Sequence, residues 1–320
     1  MTRYIIKRML MLILIVFVVM FIVFVLMHWV MPATMNLPID GDGDALDSIF
    51  AFFDASSNVF TRYLRYMYNV VFNFYFGTTW LNAPFIFELA ERTRNTLIIL
   101  GIGTVLTLVT GIPLGIYAAG RKDRPGDRII TVITTILSSM PIFAVAFVIL
   151  VFFVLHLGVL PASWKNVTPS VFIMPVITIA LGGIASIARM TRTSMIEVLE
   201  QPYITALRAK GLKESHVIYK HALRNALVPV ISALGGFISQ LFIGLFVVEN
   251  FFTIHGLSAP VIDFGGLANN LLSVILTLTV ILAVLNVASD IAYTIVNPKI
   301  KLRYSRRGGN KEVCNDSKAA

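Results

Sequence analysis

RMTRTSMIEVLEQPYITALRAKGLKESHVIYKHALRNALVP, from Arg189 to Pro229, is the stretch on which the fold turns. Long apolar runs with almost no charge lie on both sides of it. The stretch itself holds Arg189, Arg192, Arg208, Lys210, Lys213, Lys220 and Arg224. Within it Tyr203, Ile204, Ala206, Leu207 and Ala209 recur at short helical spacing, and Lys210-Gly211 follow at once. Glycine just past a short amphipathic helix is a natural stop, because it takes the left-handed conformation without steric cost. Pro202 is no obstacle, since the first turn of a helix has no N–H bond for proline to lose. The spacing predicts a short helix, a bend at Gly211, then a second helix returning to the apolar region. A structured basic loop of this kind needs a partner to receive it.

The composition around this loop excludes a soluble domain. Of 320 residues, 57% are hydrophobic and only 13% charged, with mean hydropathy +0.82. Soluble domains carry about 25% charge. The expectation is an all-α, polytopic membrane protein. A net charge of +9 could suggest nucleic acid, but the cations cluster beside apolar runs, where they set membrane orientation. Nucleic acid is therefore excluded as a partner, and the lipid bilayer takes its place. The single cysteine, Cys314, rules out a disulfide framework and a cysteine metal site. No phosphate loop, GxSxG elbow or HExxH pair occurs, so neither ATP hydrolysis nor serine or zinc hydrolysis is encoded.

Six spans are predicted. The first covers Met9–Met27, behind Arg3, Lys7 and Arg8, and is too long for a cleaved signal core. His28 and Trp29 suit its far interface. Residues 31–92 contain the aspartates 40, 42, 44, 47 and 54, then an aromatic stretch from Tyr63 to Trp80 interrupted by Arg62, Arg65, Asn69 and Asn73. This segment is expected outside, partly helical and lying against the membrane. Span two runs from about Asn95 to Ala119, with Gly101, Gly103, Gly111 and Gly115 to allow close helix approach and Pro113 between the last two. Span three covers about Ile129 to Leu157 and contains a break at Ser138-Ser139-Met140-Pro141. Span four is about Val171 to Ala188, span five about Leu227 to Val248, and span six about Leu271 to Val296. The resulting organisation is residues 1–30 as first span, 31–92 outside, 93–296 as a five-helix transmembrane domain, and 297–320 as a basic tail.

Counting charge fixes the expected orientation. Twenty-one of the 26 Lys and Arg fall in residues 1–8, 120–130, 189–226 and 297–320, against five in the alternate segments. Positive loops stay on the cytoplasmic side, so both termini are expected inside.

Several residues carry more than topology. Glu249 and Asp290 lie near span ends, where solvation is cheap, and each suits either helix capping or gating. Pro141 reads as a hinge or as ordinary packing. Asn286, Ser138 and Ser139 suit helix–helix hydrogen bonding in lipid. Asn166-Val167-Thr168 matches a glycosylation sequon and is given no weight. A stand-alone channel or secondary transporter would show inverted repeats and midplane charges, and neither is seen. An intramembrane enzyme would need a nucleophile–base or metal set within the spans, also absent from the sequence.

The loop also resembles the cytoplasmic loop of ABC-importer permease subunits. Thr205-Ala206-Leu207 stand where that family has Glu-Ala-Ala, Gly211 keeps its spacing, and Leu223-Arg224 replace Leu-Pro. The match is to the dipeptide/oligopeptide/nickel branch, whose loops read TARAKGL…HALRNALIPV. Here those positions are Thr205-Ala206-Leu207-Arg208-Ala209-Lys210-Gly211-Leu212 and His221-Ala222-Leu223-Arg224-Asn225-Ala226-Leu227-Val228-Pro229. Further likeness lies in Phe76-Gly77-Thr78-Thr79, Asn95-Thr96-Leu97, Gly111-Ile112-Pro113-Leu114-Gly115, Thr191 to Leu199, Val247-Val248-Glu249 and Asp290-Ile291-Ala292-Tyr293. The branch departs from this chain at Gln201-Pro202 and at Asn269-Asn270.

The resemblance implies a coupling helix between spans four and five that inserts into a groove of an ATPase subunit. Glu200, Tyr203, Thr205, Ala206, Ala209, Lys210, Gly211, Leu212 and His221 would sit at or near that contact. It further implies a second homologous permease, two ABC ATPase subunits that bind the ATP, and an extracytoplasmic binding protein, lipoprotein or periplasmic. The chain itself would hold no cofactor and do no chemistry. The implied setting is a bacterial cytoplasmic (inner) membrane. The implied cargo is di- or oligopeptides, with nickel chelates or glutathione as the alternative, and the sequence names no substrate-contacting residue.

Overall fold

The computed structural model describes residues 2–34, 58–77, 83–161, 169–259 and 268–296, and every regular element among them is helical. In chain order these are α1 (Thr2–Thr34), α2 (Val59–Asn73), α3 (Ile86–Gly120), α4 (Pro125–Ser139), α5 (Ile142–Leu150), α6 (Ile173–Leu199), α7 (Pro202–Ala209), α8 (Glu214–Phe251) and α9 (Ala268–Val296). π-Helical stretches extend α5 over Val151–His156 and interrupt α8 at Val217–Ala222. The aspartates of 40–54, Thr78, Thr79, Trp80, the sequon at 166–168 and the 297–320 tail lie outside the described residues.

Among the described residues, five helices are long and apolar enough to cross a bilayer, six if a bent pair counts as one span. That pair, α4 with α5 and its extension, is the expected span three, divided at the Ser138–Pro141 break. The chain turns through 104° there. The cause is Pro141. Its ring disfavours helical geometry at the residue before it, and Met140 is extended at φ −81°, ψ 132°. Ser138 and Ser139 turn their hydroxyls back onto the Thr134 and Thr135 carbonyls of the last turn of α4.

α3 and α6 pack along most of their length and set the centre of the fold. Small residues allow it. A Cβ on Gly115 would lie 2.6 Å from the Ala188 carbonyl oxygen, and one on Gly183 2.4 Å from the Thr107 hydroxyl. In lipid such close backbone approach, rather than exclusion of water, holds helices together. Ile99, Ile179, Ile187, Leu245, Val248 and Val274 fill the core between α3, α6, α8 and α9.

α2 has the opposite character to the long helices. Tyr63, Tyr66 and Val70 share one buried face, while Arg65 and Asn73 face outward. The Tyr63 ring meets Phe17, Phe21 and Phe24 of α1 edge to face at 5.0, 5.2 and 5.7 Å, an orientation aromatic quadrupoles favour. Its hydroxyl donates to the Phe17 carbonyl at 2.6 Å. Leu272 and Leu276 of α9 close the same cluster, so α2 is pinned between the first and last long helices.

Helices run further than the apolar runs that announce them. α3 begins at Ile86, which places Arg92 and Arg94 on a helix rather than in a loop. Arg92 pairs with Glu88 one turn back at 2.7 Å, and Leu89 is buried between them. α6 continues to Leu199, because Thr191, Ser194 and Met195 keep one face buried beyond Ala188. The connection from α6 to α8 is thereby reduced to residues 200–213, which contain α7.

Candidate functional site

α7 presents two unlike faces. Ile204 is fully buried among Ile116, Met195, Val217 and Ala226, with Leu207 half-buried beside it. On the opposite face Thr205, Ala206 and Ala209 are exposed, flanked by Tyr203 and Lys210. One wall is therefore fixed to the protein while the free wall is made of small side chains. A partner cleft could close on the backbone of such a helix with little in the way.

The helix ends are held. Gln201 is extended and Pro202 opens the first turn. Gly211 closes the element at φ +78°, its N–H donating to the Arg208 carbonyl at 2.9 Å. Leu212 is half-buried against the cluster around Ile204. Arg208 pairs with Glu214 at 2.6 Å, which bridges the Gly211 bend and raises the guanidinium pKa above its ordinary value. The Tyr203 hydroxyl accepts from Asn225 Nδ2 at 2.8 Å, tying α7 to α8. Glu200 accepts from Lys122 Nζ at 2.6 Å, and that bond holds the ammonium pKa up. His221 is half-buried on the π-helical stretch of α8, its ring 5.5 Å from that of His216. The structure thus leaves Glu200, Tyr203, Thr205, Ala206, Ala209, Lys210 and Gly211 exposed along one short segment, turns Leu212 toward the buried cluster, and puts His221 on α8.

The remaining expected residues lie elsewhere. Pro141 makes the α4–α5 bend. Asp290 of α9 is ion-paired with Arg8 of α1. Glu249 is near the far end of α8, about 50 Å from Glu214 at 1.5 Å per residue. Its expected cheap solvation at an interface is corrected: Glu249 is 1% exposed. Burying a carboxylate is costly unless it is hydrogen-bonded, and this one is. One oxygen accepts from the Thr96 hydroxyl at 2.6 Å, the other from the Ser258 N–H at 3.0 Å and the Ser258 hydroxyl at 2.6 Å.

α3 completes this cluster. Thr96 also accepts from the Leu257 N–H at 3.0 Å, Asn95 Nδ2 donates to the His255 carbonyl at 2.9 Å, and Arg92 donates to the Gly256 carbonyl at 3.1 Å. Residues at i, i+3 and i+4 of one helix therefore hold three consecutive residues, 255–257, of the loop that follows α8. Sequence reasoning missed this cluster. Its one local signal was the spacing Arg92-x-x-Asn95-Thr96, and the partners lie some 160 residues away. Also missed was the Asp127–Arg192 pair, bidentate at 2.5 and 2.7 Å, which fastens α4 to α6 with Asp127 buried.

Comparison with known proteins matches this architecture. Residues 111–302 fit the family described as binding-protein-dependent transport system inner membrane component. The dipeptide transport system permease protein DppB of Bacillus subtilis is 31% identical, covering 94% of this chain and 99% of its own length. The oligopeptide transport system permease protein AppB of the same organism is 32% identical over 94% and 100%. The glutathione transport system permease protein GsiC of Escherichia coli K12 is 29% identical over 95% and 100%. An inward-facing structure of the MetNI methionine ABC transporter shares the fold, at TM-score 0.54 and 19% identity, over 66% of this chain and 97% of that one. The chain belongs to the binding-protein-dependent inner-membrane components, as a multi-pass permease subunit of an ABC importer of the dipeptide/oligopeptide/nickel branch, a transport subunit and not an enzyme.

Proposed function

We propose that this permease pairs with a second, homologous one to carry short peptides into the cell, and that α7 is its seat in an ATPase subunit. The observation that carries the docking role is the two-faced α7. Ile204 fixes one wall, and Thr205, Ala206 and Ala209 leave the other open to close approach. Two ABC ATPases bind and hydrolyse the ATP, and an extracytoplasmic binding protein delivers the cargo. The count of Lys and Arg supports cytoplasmic termini, with α7 and the 120–124 turn on the same side. A displacement of the ATPase would reach α6 and α8 directly, because α7 is joined to both by short connections and by the Tyr203–Asn225 bond.

The cargo reading rests on the names of the dipeptide and oligopeptide relatives. Glutathione is the second candidate, through the relative of that name, and it too is a small peptide-like solute. The test is uptake into proteoliposomes that hold the two permeases, both ATPases and the binding protein. ATP-driven accumulation of labelled dipeptide, competed by unlabelled oligopeptide and not by glutathione, is expected. Accumulation of glutathione alone would replace the cargo, and no accumulation of either would overturn it.

A further inference from the structure

Beside α7 the surface is hollowed. The turn joining α3 to α4 brings Arg121, Lys122 and Arg124 to its edge, all exposed, with Asp123 at φ +65° making the turn tight. Together with α6, α7 and the start of α8 the turn encloses a hollow of about 310 Å³. Across from the turn stand Glu200, Arg208 and Glu214, and Leu199 and Ile218 contribute an apolar floor.

The charges do not cancel. Four cations face two carboxylates, and both carboxylates are taken, Glu200 by Lys122 and Glu214 by Arg208. Arg121 spends its guanidinium on Tyr117, stacked 4.3 Å over the ring. Arg124 is exposed and has no ion pair or side-chain hydrogen bond among the described residues. Membrane-side anchoring accounts for cations near a bilayer. It does not account for their standing around a concave apolar floor, in register with α7 through the Lys122–Glu200 bond. A charged rim over an apolar base suits a projecting segment with an acidic tip and an apolar stem.

We propose that the Gly120–Arg124 turn is a second seat for the ATPase subunit, continuous with α7. An acidic loop or helix end of the ATPase enters the hollow, its carboxylate taken by Arg124 and its stem lying on Leu199 and Ile218. This rests on the reading of α7 as the first seat. Movement of the ATPase then pulls on the α3–α4 junction as well as on α6 and α8, and Lys122–Glu200 keeps the two seats in step.

Arg124→Glu is the clean variant, because the side chain holds nothing else within the described chain. Affinity of the ATPase for the permease pair in nanodiscs is measured beside ATP-driven uptake, with Arg124→Lys and Ala206→Glu as comparisons. Arg124→Glu is expected to weaken ATPase binding about tenfold and to flatten its salt dependence, as loss of an interface charge does. Arg124→Lys should retain both. Unchanged affinity in Arg124→Glu while Ala206→Glu loses the ATPase would overturn the second seat and leave α7 standing. Unchanged affinity in both would overturn α7 too. Unchanged ATPase affinity with altered binding of inorganic phosphate would make the hollow a small-anion site and sink the proposal.

Discussion

Thr96 and Glu249, 153 residues apart, share a 2.6 Å hydrogen bond between hydroxyl and carboxylate in a place that water does not reach. Because Thr96 also receives the Leu257 N–H, a single α3 side chain links α8 to the loop that follows it. A buried carboxylate with three donors fixes the conformation of whatever carries those donors. Here those are Thr96 of α3 and Ser258 of the loop, and Glu249 ties both to α8.

Gly256 shows how tight this arrangement is. A Cβ there would stand 2.2 Å from the Glu249 carboxyl carbon. Gly256→Ala must displace the carboxylate or the loop, and overpacking of this kind costs about 1–3 kcal/mol. The purified subunit should melt earlier. Glu249→Gln should act in the same direction, since its amide turns a donor towards donors. An unchanged melting midpoint in both variants would show that the cluster is loose.

Gly211 makes a different demand. No atom lies within 4 Å of a Cβ built on it, so the constraint is not space. It is φ +78°, which a β-branched residue adopts only at a cost of about 1–2 kcal/mol. Gly211→Val should leave membrane insertion intact and lower ATP-driven uptake, with Gly211→Asn milder because asparagine tolerates the left-handed region. Wild-type uptake in the valine variant would remove the bend from the coupling surface.

Much of this was legible in the sequence and some could not be. Ile204, Ala206 and Ala209 at helical spacing before Gly211 gave α7 directly, because a short amphipathic helix and its stop are local signals. The apolar runs likewise gave the five long helices and both halves of the bent pair. Their ends were misjudged, since Thr191, Ser194 and Met195 extend α6 for reasons of packing that composition does not register. The sharp turn at Pro141 was visible as a break but not as an angle, which depends on what α4 and α5 pack against. The ties of Asp127 to Arg192 and Thr96 to Glu249 link distant residues and leave no periodic trace.

Arg8 and Asp290 offer a test of how α1 is held. Their ion pair joins the first and last long helices, with side chains 41% and 31% exposed. Partly exposed pairs contribute about 0.2–1 kcal/mol. Arg8→Asp or Asp290→Arg alone should lower the melting midpoint slightly, and the swapped double variant should recover part of the loss. Additive losses in the double variant would show that the two charges act independently.

Finally, the two faces of α7 should separate folding from docking. Ile204→Ala removes a fully buried side chain from the cluster with Ile116 and Met195, at a cost of about 2–5 kcal/mol for such truncations. Its effect should appear first in the isolated subunit, as a lowered melting midpoint. Ala209→Glu changes an exposed residue and should leave that midpoint within about 0.5 kcal/mol of equivalent stability. Its effect should appear only on assembly, as loss of ATPase in a pull-down, because a charged side chain then stands between the helix and the cleft. The opposite pattern, with Ala209→Glu unfolding the subunit and Ile204→Ala losing only the partner, would mean that the faces are reversed. Equal ATPase recovery in both variants would place the partner's contact away from α7.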